Sequence, residues 1–264
     1  MAMSTADALP LAGRHALVTG AGRGIGAAIA HRLAADGARL SLLGRQPAPL
    51  QALAASLPES AQAQVVLCDV ADAQAVATAW AQTRAAHGPV AILVNNAGQA
   101  ASAPLGRTTD ALWAQMLAVN LTGSFHGCRE SLPDMLAAGW GRIVNVASTA
   151  GLRGYAYVAA YAAAKHGVIG LTRSLALEVA HKGITVNAVC PGYTETDLLE
   201  ASIGNIVAQT GRSAEEARSM LARHNPQGRL VQPAEVADAV AWLCSPAAGA
   251  INGQSVSVSG GEVM

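Results

Sequence analysis

The stretch Thr19-Gly20-Ala21-Gly22-Arg23-Gly24-Ile25-Gly26 constrains this chain more than any other. The apolar run before it, residues 15–19, has the composition of a strand, and residues 25–36 after it have the spacing of a helix. Glycines at such a junction let the backbone turn sharply and approach a ligand closely. The helix start then offers unpaired N–H groups and the positive end of its dipole, a cradle for a pyrophosphate. A glycine-rich turn without a ligand would carry the same letters. The position between strand and helix is what gives the fingerprint weight.

The rest of the chain continues that alternation. Strands are predicted at 39–43, 64–68, 91–94, 142–146, 184–189 and 255–258. Helices are predicted at 49–57, 72–87, within 110–138, from about 157 to 181, and at 233–243. Residues 193–232 read as irregular and polar. Strand, helix, strand in strict succession is the pattern of an α/β fold. Ile143-Val144-Asn145-Val146 is mostly apolar, as a strand covered on both faces should be. The expectation is a single-domain, Rossmann-type, doubly wound parallel sheet with helices on both faces, spanning residues 1–264.

Composition excludes several classes. Of 264 residues 52% are hydrophobic and 13% charged, so a large core is available. Aromatics are 3%, which leaves the core to alanine and aliphatics. Seventeen basic and seventeen acidic residues balance, with no basic run to serve as a nucleic-acid footprint. No apolar run approaches the roughly twenty residues of a membrane helix. The start, MAMSTADALPLAGR, shows no secretory leader, so a cytoplasmic location is expected. Cys68, Cys128, Cys190 and Cys244 are far apart and read as buried free thiols. The histidines show no HxxxH spacing, and no metal is expected.

A nucleotide site that prefers NAD usually carries an acid about 20 residues after the glycines, at the end of the second strand. Here that strand ends Leu43-Gly44-Arg45, and no Asp or Glu occurs between Gly37 and Pro58. Arg45, with Arg23 from the glycine loop, is placed to grip a 2′-phosphate by charge-assisted bonds. Both are also what a solvated loop would carry; the missing acid favours the phosphate and hence NADP(H), with NAD(H) as the alternative.

Tyr161 and Lys165 lie one helical turn apart on a shared face. An ammonium beside a phenol favours the phenolate and would bring its pKa down towards neutrality. Ser148 follows the end of the strand at 142–146, and ligands of parallel sheets bind at the carboxyl ends of strands. A Tyr-x-x-x-Lys pair alone is common in ordinary helices. Arriving after a glycine loop, an Asn-Asn-Ala-Gly turn and a serine at a strand end, it points to acid/base chemistry.

Together these residues resemble the short-chain dehydrogenase/reductase family, from about Leu11 to the C-terminus. The motifs are Thr19-Gly20-x-x-x-Gly24-Ile25-Gly26, Cys68-Asp69-Val70, Asn95-Asn96-Ala97-Gly98, Asn120, Ser148, Tyr161-x-x-x-Lys165 and Pro191-Gly192. The resemblance implies a catalytic tetrad of Asn120, Ser148, Tyr161 and Lys165, with Asn120 holding a water in a proton relay. It implies cofactor contacts from Gly20, Gly24, Ile25, Gly26, Asp69, Val70, Asn96, Ala97, Gly98, Pro191, Gly192, Thr194 and Thr196, besides Tyr161 and Lys165.

The implied reaction is hydride transfer between a nicotinamide and a ketone/secondary alcohol pair. The block from Asn225 to Val236 is similar to that of bacterial 3-oxoacyl reductases, polyketide ketoreductases and acyl-CoA dehydrogenases. A 3-oxoacyl or 3-hydroxyacyl thioester, or a similar bulky apolar ketone, is therefore the expected substrate. A non-thioester ketone and a non-enzymatic nucleotide-binding role are the alternatives. Residues 193–232 are expected to form a substrate lid. Leu152, Tyr155, Tyr157, Tyr193, Leu198, Leu199, Ile203 and Ile206 are expected to line an apolar pocket, with Arg153 and Arg223 at its rim. Helices with small or apolar residues on several faces, and the resemblance itself, imply a homotetramer.

Overall fold

The computed structural model describes residues 9–264; most of the stretch read for a leader lies outside them. Seven parallel strands form one sheet: β1 (His15–Thr19), β2 (Arg39–Gly44), β3 (Gln64–Leu67), β4 (Ile92–Asn95), β5 (Gly141–Val146), β6 (Ile184–Pro191) and β7 (Ser255–Val258). Their order across the sheet is β3-β2-β1-β4-β5-β6-β7. The order reverses between β1 and β4, so the connections leaving those two strands diverge to opposite faces and open a crevice at their carboxyl ends.

Successive strand residues point to opposite faces and feed two separate cores. Ala16, Val18, Leu40, Leu42, Ile92, Val94 and Val144 pack on one face. They meet α1 (Gly24–Ala35), α2 (Pro47–Ser56) and α9 (Pro233–Cys244) there. Leu17, Leu43, Leu93 and Ile143 pack on the other face. They meet α3 (Ala73–His87), α5 (Gly123–Ala138) and α6 (Ala159–Val179). The doubly wound α/β architecture expected from the alternation is the one observed. All four cysteines are buried and free, also as expected.

One sequence expectation needs correction and two need refinement. Residues 193–232 are not irregular: they contain α7 (Asp197–Thr210) and α8 (Ala214–Ala222). Leu199, Ile203, Ala217, Leu221 and Leu230 give this pair a small core of its own. Ser213 and Glu216 close a reciprocal capping box at the start of α8. Polar outer faces and Gly204 masked the i, i+4 apolar pairs. Second, the helix placed within 110–138 is α4 (Asp110–Leu117) joined to α5 through a π-helical turn, Ala118–Thr122. Third, α6 starts at Ala159, because Tyr157 takes a left-handed φ of 69° that a helix cannot contain.

Buried side-chain bonds tie the layers together. Asn95 donates to the side-chain carbonyl of Asn145 at 2.9 Å, and Asn145 donates to Thr172 on α6 at 2.9 Å. At the far end of β1, His15 is 1% exposed. Its Nδ1 donates to the Gly88 carbonyl at 3.0 Å, which leaves Nε2 to accept from the Ser41 hydroxyl at 2.9 Å. That arrangement suits the neutral ring. Burial pushes the imidazole down to about 4 from an ordinary 6.5.

The unfolded chain therefore takes up this proton before the folded chain does. The resulting stability is present above pH 6.5 and lost as pH falls towards 4, by up to about 3 kcal/mol. Urea denaturation between pH 7.5 and 4.5 should show this loss, and His15→Gln should flatten the slope. Equal slopes for the two proteins would refute the assignment.

Candidate active site

Every predicted catalytic position reaches one cleft at the carboxyl edge of the sheet, with a volume of about 1210 Å³. Asn120, Ser148, Tyr161 and Lys165 all line it. Ser148 leaves β5 in extended conformation and starts a short 3-10 turn, its Oγ accepting the Ala150 N–H at 3.1 Å. Tyr161, from the first turns of α6, lines the same cleft as Ser148. Lys165 lies one turn further, 4% exposed. Its Nζ donates to the Val146 carbonyl at 2.8 Å and sits 5.7 Å from the Tyr161 ring centroid.

The electrostatics differ from the sequence expectation. The phenol of Tyr161 is pushed up, not down: burial outweighs the lowering effect of the Ser148 hydroxyl. Lys165 is pushed down to about 8, because burial penalises its charge. The ammonium spends its hydrogen bond on the Val146 carbonyl. A protonated phenol beside a partly neutral amine is poised to give a proton.

Asn120 lies in the π-helical turn, where the extra residue turns its side chain inward. Its Nδ2 donates to the Gln99 and Met116 carbonyls, both at 3.0 Å, and its Oδ1 accepts the Gln99 N–H at 3.1 Å. The side-chain amide is therefore committed to backbone, and a relay through this residue would run by its main chain. Gly98 packs tightly here: a Cβ would lie 2.9 Å from Asn120 Oδ1 and 3.7 Å from Lys165 Nζ.

The other half of the cleft fits a dinucleotide. Gly20, Arg23, Gly24, Ile25, Gly26, Arg45, Asp69, Val70, Asn96, Ala97 and Gly98 line it. At Gly26 a Cβ would come within 2.2 Å of the Gly20 carbonyl and 2.5 Å of Asn96 Nδ2. The loop therefore closes only on glycine. No side chain caps the start of α1, so its N–H groups face the cleft. Asn96 donates to the Thr19 and Gly20 carbonyls, each at 3.0 Å, and so shapes the loop. One Asp69 oxygen caps its own turn at Ala71, 3.0 Å away. Arg45 has no ion-pair partner among the described residues, whereas Arg23 lies 3.6 Å from Asp197 with both side chains about 70% exposed.

Pro191, Gly192, Thr194 and Thr196 form the wall that leads into α7. Thr194 bonds the Gly192 carbonyl at 3.0 Å. Thr196 caps α7 and touches the glycine loop: its Cγ2 would be 3.1 Å from a Cβ on Gly24.

On the substrate side, Tyr155, Tyr157, Tyr193, Leu198, Leu199 and Ile206 line the cleft as expected. Leu152 and Ile203 do not, because each packs into a core cluster instead. Arg153 stacks over the Tyr155 ring at 4.9 Å and Arg223 follows α8; neither lines the cleft, whereas Arg107 does. Two residues escaped the sequence reading. His224 lines the cleft, and Glu262 stands behind it, accepting the Tyr155 hydroxyl at 2.5 Å. An acid three residues from the end gave no signal of burial.

The chain is similar to known proteins over nearly its whole length. The chain is 42% identical over 250 residues to a Streptomyces coelicolor protein named as a ketoacyl reductase, covering 93% of this chain and 95% of that one. It is 39% identical over 254 residues to the 3-oxoacyl-[acyl-carrier-protein] reductase of Vibrio cholerae, covering 96% and 99%. A crystal structure of an actinorhodin polyketide ketoreductase variant with NADPH superposes with a TM-score of 0.91 at 41% identity, covering 94% and 97%. Residues 14–206 match the family described as short chain dehydrogenase. With that match, those relatives and a doubly wound sheet carrying a Ser-Tyr-Lys cleft beside a glycine cradle, the chain belongs to the short-chain dehydrogenases, a family of oxidoreductases.

Proposed function

We propose that this protein reduces a 3-oxoacyl thioester or a similar bulky ketone with NADP(H). The observation that carries the reading is that Ser148, Tyr161 and a buried Lys165 open onto the same cleft as the glycine cradle. When bound, the nicotinamide supplies hydride to the carbonyl carbon or accepts it in the reverse direction. Tyr161 passes the proton at the substrate oxygen. Ser148 donates a hydrogen bond to that oxygen as charge develops there. Lys165 holds the ribose side and restores the proton of Tyr161, and Asn120 fixes the backbone beneath it.

Gly20, Gly24, Ile25 and Gly26 would hold the pyrophosphate at the start of α1. Asp69 and Val70 would flank the adenine, with Asn96, Ala97 and Gly98 along the ribose. Pro191, Gly192, Thr194 and Thr196 would close over the nicotinamide end. Arg45, with no ion-pair partner among the described residues, is the residue offered to a 2′-phosphate; Arg23 shares itself with Asp197. NAD(H) remains the alternative.

Residues 193–232 act as the lid of a single domain. The apolar lining favours a bulky acyl or ring-bearing ketone. A polyol would leave hydroxyls unpaired at about 1–3 kcal/mol each. Apolar contact returns about 25 cal/mol per Å². A 3-hydroxyacyl-CoA dehydrogenase is the same chemistry run in reverse. We assign a cytoplasmic location; among the described residues no helix is long and apolar enough to cross a membrane. Exposed Trp113 on α4, Phe125 on α5 and Leu177 on α6 support a homotetramer built on these helices.

Tyr161→Phe should abolish turnover while NADPH still binds, and Lys165→Ala should cost both activity and cofactor affinity. Near-normal turnover by Tyr161→Phe would sink the mechanism. For the wild type, kcat/KM in reduction should fall as pH rises through about 8, where Lys165 loses its proton. Cofactor choice is tested separately: Arg45→Asp should shift preference from NADPH to NADH, and a wild type using both equally would refute the charge argument. Sedimentation at micromolar concentration should give the mass of four chains; a monomer would contradict the assembly.

A further inference from the structure

This chain has four tyrosines, Tyr155, Tyr157, Tyr161 and Tyr193, and all four line the one cleft. In a protein with 3% aromatic residues that concentration is not accidental packing. Tyr161 has its task above. Tyr155 and Tyr193 form a cluster with His224, which follows α8. Their ring centroids lie 6.4 Å apart for the two tyrosines, 6.1 Å for Tyr155 and His224, and 5.3 Å for Tyr193 and His224.

Behind the cluster stands Glu262, from the turn that follows β7. Its side chain is 1% exposed, and Oε1 lies 3.9 Å from His224 Nδ1 besides accepting the Tyr155 hydroxyl. No lysine or arginine pairs with it among the described residues, and its Oε2 has no hydrogen-bond partner there. That oxygen lies against the backbone beyond β6: a Cβ on Gly192 would be 2.9 Å away. Burying an acid so completely is unfavourable for folding alone. What it holds is the position of two rings. With its hydroxyl committed to Glu262 and Arg153 stacked over its ring, Tyr155 offers the cleft aromatic surface, not a free donor. The phenol is pushed up well above its ordinary pKa by burial and by the carboxylate, so it stays the donor.

We propose that Glu262 is a specificity-determining positioning residue, which fixes Tyr155 and His224 as an aromatic wall that selects ketones bearing a planar ring system over ketones bearing a linear chain. The inference rests on the reductase reading above. A rigid ring gains its full contact area against such a wall without freezing torsions, whereas a linear chain loses rotamer freedom in reaching it.

Steady-state kinetics of the full chain with NADPH on 2-tetralone and on ethyl acetoacetate test it. Wild type should prefer 2-tetralone in kcat/KM. Glu262→Leu should lower that preference about tenfold, mainly through KM for 2-tetralone, as loss of a hydrogen bond to a charged group implies. Glu262→Gln keeps an oxygen acceptor for Tyr155 and should retain most of the preference. If Glu262→Leu does not fold, Tyr155→Phe carries the test: it keeps the ring, loses the tether, and should also reduce the preference. An unmoved preference in folded Glu262→Leu or in Tyr155→Phe, or an equal loss on both ketones, overturns the proposal. A wild type that favours ethyl acetoacetate overturns it while leaving the reductase reading intact. A wild type that reduces no ketone overturns both.

Discussion

The divergence of the chain after β1 and β4 is the constraint on which the rest of the site depends. Two parallel strands whose connections leave for opposite faces stop pairing at their carboxyl ends, and backbone groups there lose their sheet partners. Thr19 and Asn96 repair the loss. The Thr19 hydroxyl accepts the N–H groups of Asn96 and Ala97, each at 3.0 Å, and the Asn96 amide returns two bonds to the carbonyls of Thr19 and Gly20. The crevice is thereby held open by side chains at the point where strand pairing ends. The glycine loop on one side and the Asn-Asn-Ala-Gly turn on the other are set by this patch.

Depth decides the chemistry across the cleft. A lysine on the surface would keep its full charge, and a tyrosine there would have an ordinary phenol. Here α6 carries both inward, and burial moves the two groups in opposite senses, the amine towards neutrality and the phenol towards retention of its proton. The Val146 carbonyl, at the end of β5, anchors the ammonium where no carboxylate is within reach. The Tyr161–Lys165 pair is thus tuned by the sheet it rests on.

Much of this was legible in the sequence because the signals are local. The glycine run, the apolar strands and the Tyr-x-x-x-Lys spacing each depend on residues near one another in the chain. What escaped depends on distant partners. The π-helical turn at Asn120 is fixed by Gln99, which no periodicity contains. The direction of the Tyr161 shift follows from burial, not from its neighbour four residues on. The burial of Glu262 follows from Gly192, whose missing side chain leaves the space the carboxylate fills. The helices α7 and α8 were hidden for a different reason: their apolar faces pack mostly on each other, so each shows only a short stripe.

That mutual packing has an evolutionary consequence. Tyr193 and Glu195 pair with Val231 through backbone bonds of 2.9 Å, so the two ends of the α7–α8 segment are pinned side by side. The apolar residues between them close on a small core of their own, while Thr196, Asp197 and His224 reach out to the rest of the fold. Such a segment behaves as a cassette. A lineage can lengthen it, shorten it or rewrite it while the strands, the glycine cradle and the Ser-Tyr-Lys cleft stay as they are, and a new substrate can be acquired without refolding the enzyme that reduces it.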